Sequence, residues 1–144
     1  MTNIYKPIFI CGCPRSGTTI FSELLSYHSD FAYFSNFTNL FPNIPQLALF
    51  SRVYSIIQPR ALKKISKVTP TIAEAWNIWR KCCGEDFLFK PLNEDDVNLK
   101  SADCLNNIIK KHLKYQNKPR FITKITGPPK IRYLNRIFSD SLFI

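Results

Sequence analysis

The sequence predicts an α/β protein in which helices cover both faces of a parallel sheet, and three features of the chain indicate this. Residues 7–12 form a short apolar run that ends at Gly12, which is typical of a strand buried on both faces. A helical pattern over residues 17–26 follows at once. Residues 120–125 begin a second unit, in which an apolar strand precedes a proline-containing turn and a helix. This alternation predicts a three-layer α/β/α fold with a parallel central sheet.

Further elements are predicted between these two units. Residues 32–34 are a candidate second strand. Thr71-x-x-Glu74 has the pattern of a capping box and predicts the start of a helix that ends at Gly84. Apolar side chains at helical spacing predict another helix over residues 101–114.

The end of the chain continues the same alternation. A helix is predicted after Pro129, with apolar Ile131, Leu134 and Phe138 at helical spacing. A fourth strand is predicted over residues 141–144, and the chain stops inside it. Because no repeat or linker divides the sequence, we expect one domain over residues 1–144.

The composition indicates a folded, basic protein. Of the 144 residues, 45% are hydrophobic, which is too many for a disordered chain. The 20 Lys and Arg exceed the 10 Asp and Glu and give a formal net charge of +10. Residues 101–144 hold nine basic and two acidic side chains. Such a surface attracts phosphate-bearing partners, but charge alone does not choose between a nucleotide, a nucleic acid and a membrane.

Location and cysteine chemistry can also be predicted. No apolar run approaches the roughly 18 residues of a membrane-spanning helix, and residues 1–10 lack the apolar core of a signal peptide. The five cysteines match neither the disulfide framework of a secreted domain nor the usual spacing of a structural zinc site. We therefore expect reduced thiols and a cytoplasmic protein.

The most specific segment is Gly12-Cys-Pro-Arg-Ser-Gly17-Thr-Thr, which has the G-x-x-x-x-G spacing of a phosphate loop. Inward-pointing N–H groups and the following helix N-terminus suit such a loop to an oxyanion, which makes the predicted fold P-loop-like. Thr18 stands where a loop for nucleoside triphosphates has Lys, and Arg15 supplies the cation. A nucleotide kinase or NTPase is therefore disfavoured but remains an alternative. A cysteine-dependent phosphatase is disfavoured too, because Phe9 stands six residues before Arg15.

The segment from Phe9 to Thr19, Phe-Ile-Cys-Gly-Cys-Pro-Arg-Ser-Gly-Thr-Thr, resembles the 5′-phosphosulfate loop of sulfotransferases that use 3′-phosphoadenosine 5′-phosphosulfate (PAPS). Its Pro-Arg-Ser-Gly-Thr-Thr form is more similar to the bacterial and tyrosylprotein-type branch than to the cytosolic aryl branch, where Lys replaces Arg. The Glu74-Ala-Trp-x-x-Trp79 segment and the Phe121-Ile-Thr-Lys124 strand extend the resemblance.

The resemblance implies transfer of a sulfuryl group from PAPS to a hydroxyl or amine, without a metal. Two residues take catalytic roles: Arg15 beside the bridging oxygen, where charge develops on the leaving phosphate, and Lys124 pointing at the transferring group. The implied donor-binding residues are Cys13, Pro14, Arg15, Ser16, Gly17, Thr18 and Thr19. The implied acceptor is a small molecule, a carbohydrate or a peptide.

A nucleic-acid-binding module is the other alternative. The basic residues after position 100 favour it, but an aromatic-interleaved basic stripe and a recognised reader motif are missing from the sequence. We therefore do not expect a nucleic-acid partner.

The chain departs from the family pattern at the general base. Relatives of this kind place a Glu after the second strand, whereas residues 33–38 contain no carboxylate. Asn36 can orient a hydroxyl but cannot accept its proton. His28, Glu23 and His112 are expected to be structural, so the sequence assigns no base.

The second departure is the end of the chain. In the resembling family, the strand that corresponds to residues 141–144 continues into a segment that binds the 3′ phosphate of the donor. We therefore expect an N-terminal part of a sulfotransferase domain, truncated at its C-terminal end and poorly active alone.

Overall fold

The structure, a computed structural model, describes residues 4–13, 15–57 and 70–144, with residues 55–57 described by their backbone only. Within these residues, four parallel strands form one sheet in the order β2-β3-β1-β4. The strands are β1 (Ile8–Gly12), β2 (Phe31–Tyr33), β3 (Arg120–Thr126) and β4 (Leu142–Phe143).

Helices connect the strands. They are α1 (Thr18–Ser26), α2 (Asn36–Leu40), α3 (Ala48–Ile57), α4 (Trp76–Cys83), α5 (Asp86–Phe89), α6 (Leu99–Gln116) and α7 (Ile131–Ile137), with 3-10 helices at Pro45–Leu47 and Glu94–Asp96. No helix in the described ranges is both long and apolar enough to cross a membrane.

The sheet is covered on both faces, as the apolar run of β1 predicts. Phe9 is fully buried on one face, where its ring lies 5.8 Å from that of Phe138 and joins a core shared with α4, α6 and α7. Ile10 is 1% exposed and belongs to a smaller core on the other face, against which Leu25 of α1 packs. The parallel sheet between two helical layers confirms the predicted α/β class.

The pairing of β1 with β3 determines what meets at the carboxyl edge of the sheet. Ile10 lies opposite Lys124, and Gly12 lies opposite Thr126. Because the two strands are parallel, the loop after Gly12 and the last residues of β3 emerge side by side. Ligands of open parallel sheets bind in the crevice outside this edge.

The helix predicted from Thr71 exists, but its start is wrong. Helix α4 begins at Trp76, its N-cap is Ala75 in a left-handed conformation (φ 57°), and no side chain caps it. Gly84 ends the helix, as the sequence predicts. The capping box is therefore not formed, and the side chain of Glu74 is available for other contacts.

Tertiary pairing explains why the local capping pattern fails. Ser35, at the end of β2, forms an isolated antiparallel bridge with Ile72. The N–H of Ala73 donates to the carbonyl of Phe34 at 2.9 Å. These bonds hold residues 71–73 extended beside the segment that follows β2, so the helix cannot begin there.

The prediction of reduced thiols is wrong for two cysteines. Cys82 of α4 and Cys104 of α6 form a disulfide with their Cα atoms 5.3 Å apart. The two helices pack together in the core and bring these residues into contact, which no spacing rule along the sequence reveals. Cys11, Cys13 and Cys83 are free. Since disulfides persist mainly in oxidising compartments, the cysteines no longer support a cytoplasmic location.

His112 has a structural place, as expected. It is fully buried in α6, its Nδ1 lies 2.8 Å from the carbonyl oxygen of Ile108, and its ring meets that of Phe34 edge-on. Its Nε2 has no hydrogen-bond partner among the described residues. Burial lowers the pKa of His112 from 6.5 to about 4, so the imidazole is neutral in the folded protein at neutral pH.

The disulfide predicts a labelling pattern. Under denaturing, non-reducing conditions, we expect an alkylating reagent to label three of the five cysteines, and all five after reduction, by intact mass. Replacing both Cys82 and Cys104 by Ala should lower the free energy of unfolding by about 3 kcal/mol, because the unfolded chain gains freedom. Cys13→Ser is the control, since it removes one label and should not move the urea midpoint. Five labels without reduction would refute the disulfide.

Neutral, buried His112 predicts acid sensitivity. The pKa of His112 is lower in the folded state than in the unfolded state, so as the pH falls the unfolded state takes up a proton before the folded state does. The free energy of unfolding therefore decreases as the pH falls from 6.5 toward 4. We expect this residue to account for a loss of about 3 kcal/mol over that range, measured by urea unfolding. In His112→Leu, which removes the titrating group, the dependence on pH should be weaker by that amount. An unchanged dependence in the variant would show that His112 does not cause it.

Candidate functional site

The loop between β1 and α1 has the geometry of an oxyanion site. Arg15 and Gly17 both adopt left-handed backbone conformations, with φ of 66° and 81°. Gly17 is the N-cap of α1, and no side chain caps this helix. The first N–H groups of a helix have no acceptor within it, and they lie at the positive end of its dipole. This end of α1 can therefore receive a negatively charged oxygen.

The two glycines of the motif serve different purposes. A Cβ on Gly12 would lie 2.7 Å from Thr18 Cγ2 and 2.8 Å from Ser16 Oγ, so a residue larger than glycine would have to displace these two side chains. A Cβ on Gly17 would meet no heavy atom within 4 Å. Gly17 is needed for its positive φ, and Gly12 for its lack of volume.

The structure places most of the predicted loop residues at the surface. Arg15 makes no ion pair within the described part of the chain. Its left-handed backbone conformation costs about 1 kcal/mol for a residue with a Cβ. Strain of this kind concentrates at functional sites. Pro14 lies outside the described residues. The exposed loop residues are Cys13, Arg15, Ser16, Gly17 and Thr19, whereas Thr18 is half-buried.

Lys124 reaches this loop from β3. Its Nζ donates to Thr19 Oγ1 at 2.9 Å, in the first turn of α1. The same ammonium forms an ion pair with Glu74 Oε1 at 2.8 Å, and the side chain is 12% exposed. The register of β1 and β3 thus brings together two of the predicted site residues, Lys124 and Thr19, that are 105 positions apart.

Glu74 is the site residue that the sequence did not reveal. Its Oε2 accepts a hydrogen bond from Thr126 Oγ1 at 2.7 Å, and its backbone carbonyl accepts one from Trp79 Nε1 at 2.8 Å. The carboxylate is therefore fixed between two side chains of β3, with its side chain 22% exposed. The sequence pattern assigns Glu74 to a capping box, and this local role gave no reason to place its side chain at the site. The Glu-Ala-Trp-x-x-Trp segment is part of the family resemblance, but it assigns no role to the carboxylate.

Of the other residues considered for proton transfer, His28 and Asn36 make local hydrogen bonds. The Nδ1 of His28 accepts from the backbone N–H of Asp30 at 3.2 Å, and its ring lies 5.4 Å from that of Phe31. Asn36 opens α2, and its Oδ1 accepts from the N–H of Phe37 at 2.9 Å. Glu23 is exposed on α1. The contacts of His28 agree with the structural role that the sequence suggests for its imidazole, whereas the role expected for Glu23 stays a prediction.

A comparison with protein-family models matches residues 7–144 to the Sulfotransferase family. The chain belongs to the sulfotransferase family. The match includes β1, the phosphate loop, Glu74 and β3, so all parts of the candidate site lie within the family region. It identifies the family and not a branch of it. Comparisons with curated proteins and with solved structures found no match.

The close contact over Gly12 predicts a specific loss of anion binding. In this sulfotransferase, Gly12→Ala should displace Ser16 and Thr18 and weaken pyrophosphate binding about tenfold or more, measured by calorimetry, since charge-assisted contacts would be lost. Gly84→Ala is the control: it forces a left-handed alanine at φ 84° far along the chain, and should cost about 1 kcal/mol of stability without changing binding. Equal binding by Gly12→Ala and the wild type would contradict the predicted role of the space over Gly12 in anion binding.

Proposed function

We propose that this sulfotransferase moves a sulfuryl group from PAPS to an acceptor hydroxyl or amine. The observation that supports this most directly is the 2.9 Å hydrogen bond from Lys124 Nζ to Thr19 Oγ1. It places the cation of β3 at the uncapped N-terminus of α1, where the loop offers backbone N–H groups and hydroxyls. An anionic group transferred at this point would meet donors from both directions.

The residues present fit the phosphosulfate end of such a donor. The backbone N–H groups of Gly17, Thr18 and Thr19 and the hydroxyls of Ser16, Thr18 and Thr19 would hold its oxygens, while the N–H of Ser16 donates to the carbonyl of Cys13 at 3.3 Å within the loop. The narrow space over Gly12 keeps these groups close together. When bound, the donor supplies a sulfuryl group attached to a phosphate that can leave.

Arg15 and Lys124 have separable tasks in this proposal. Sulfuryl transfer resembles phosphoryl transfer in passing through a loose transition state, so the protein mainly positions groups and neutralises charge. Arg15, exposed and without an ion pair in the described structure, would stabilise negative charge on the leaving phosphate. Lys124, fixed between Thr19 and Glu74, would face the transferring group.

The position of the cations favours this donor over a nucleoside triphosphate. Loops that read triphosphates carry Lys directly after the second Gly, but Thr18 occupies that place here. Lys124 comes instead from the neighbouring strand. The acceptor is proposed only by class, as a small molecule, a carbohydrate or a peptide that presents a hydroxyl or amine.

Arg15→Ala tests the proposed function. We expect it to weaken binding of adenosine 3′,5′-diphosphate, the desulfated donor, by about 10- to 100-fold in calorimetry, because one charge-assisted contact is lost. Arg80→Ala, which removes an exposed arginine paired with Glu85 at 2.8 Å, should bind like the wild type.

A second ligand separates the alternatives. Magnesium-dependent binding of ATP in preference to adenosine 3′,5′-diphosphate would favour a nucleotide kinase and contradict the proposal. Transfer from labelled PAPS to a hydroxyl acceptor, reduced in Arg15→Ala, would support it directly.

A further inference from the structure

We propose that Glu74 is the proton acceptor of this site, a role that rests on the proposed sulfuryl transfer. The sequence provides no carboxylate in the segment after β2. The structure brings one to the same edge of the sheet from residues 71–74, which lie antiparallel to that segment through the bridge between Ser35 and Ile72. The carboxylate thus reaches the site from a different part of the chain.

The contacts of Glu74 place it one side chain away from the loop between β1 and α1. Lys124 Nζ lies 2.8 Å from Glu74 Oε1 and 2.9 Å from Thr19 Oγ1, so one ammonium separates the carboxylate from the phosphate loop. An oxyanion held at Thr19 and Lys124 would have Glu74 as its neighbour. An acceptor oxygen approaching that oxyanion would therefore come within reach of the carboxylate.

Glu74 retains the capacity to accept another hydrogen bond. A carboxylate offers about four acceptor positions on its two oxygens. The described structure uses one on each oxygen, from Lys124 and from Thr126. Because the side chain is 22% exposed, an acceptor hydroxyl can approach it and the proton can later pass to solvent. Thr126 and Lys124 orient its carboxylate, and the indole of Trp79 holds its backbone carbonyl.

The proposed step balances without a further reactant. Glu74 takes the proton as the O–H bond of the acceptor breaks and the acceptor oxygen bonds to sulfur. The bond between sulfur and the bridging oxygen breaks, and its electron pair stays with the phosphate. General-base assistance of this type contributes about 10²- to 10⁴-fold to a rate.

A purely structural role for Glu74 makes the opposite prediction for anion binding. A carboxylate beside an oxyanion site repels the ligand and engages the nearby ammonium, so its presence weakens binding of the ground state. If Glu74 merely held Lys124 in place, its removal would disorder the cation and weaken binding. If Glu74 stands at the reacting group, its neutralisation releases Lys124 to the anion and strengthens binding.

The first experiment measures binding and needs no turnover. In Glu74→Gln, which preserves shape and an oxygen for Thr126, we expect adenosine 3′,5′-diphosphate to bind about threefold to tenfold more tightly in calorimetry. Glu85→Gln is the matched control, since it neutralises a glutamate paired at 2.8 Å with Arg80 on the surface, and should leave affinity unchanged. Unchanged or weaker binding in Glu74→Gln would overturn the proposal. Binding by the wild type in the same titration that is weakened in Arg15→Ala would leave the proposed function standing.

The second experiment varies the acceptor. With an alkyl alcohol, Glu74→Gln should lower the rate of transfer from labelled PAPS by about 10²- to 10⁴-fold. With a nitrophenol that is already ionised at the assay pH, the loss should be within about threefold, because no proton has to be removed. An equal loss with both acceptors would overturn the assignment of Glu74 as base.

Discussion

The parallel pairing of β1 with β3 is the constraint on which the site depends. It sets Gly12 opposite Thr126 and Ile10 opposite Lys124, so the two central strands end at the same level. The loop that starts at Gly12 therefore lies beside the ammonium of Lys124 and the hydroxyl of Thr126. Because a slip of one residue would turn Lys124 to the other face of the sheet, the register that the buried side chains of β1 and β3 enforce also fixes the chemistry.

The charges at this edge balance two requirements. Anion binding favours cations alone, and Arg15, Lys124 and the N-terminus of α1 supply positive potential. Glu74 works against that binding, since it holds the same ammonium at 2.8 Å. The proposed role of Glu74 as base would offset this loss of binding in the transition state, because catalysis depends on interactions that are stronger there than in the ground state.

A feature of this structure can be predicted from the sequence when a short continuous segment determines it. The strand over residues 7–12, the helix after Gly17 and the stop at Gly84 follow from short patterns, and the structure contains them. The candidate site residues in the loop are equally visible in the sequence, because one segment supplies them. Glu74 and the Cys82–Cys104 disulfide escape prediction because both depend on contacts between separate segments. The capping pattern that ends at Glu74 is not formed, because Ile72 and Ala73 pair with Ser35 and Phe34.

The origin of the second cation links recognition to folding. A loop that carries its own Lys after the second Gly can position that charge by local backbone geometry. Here Thr18 occupies that position, and the ammonium arrives from β3, which pairs with both β1 and β2. Lys124 is therefore in position only when the sheet has formed and when Glu74, in the segment of residues 71–74, has formed its ion pair with the ammonium. The proposed anion site is consequently a property of the assembled core, whereas the loop alone would offer only its amides, its hydroxyls and Arg15.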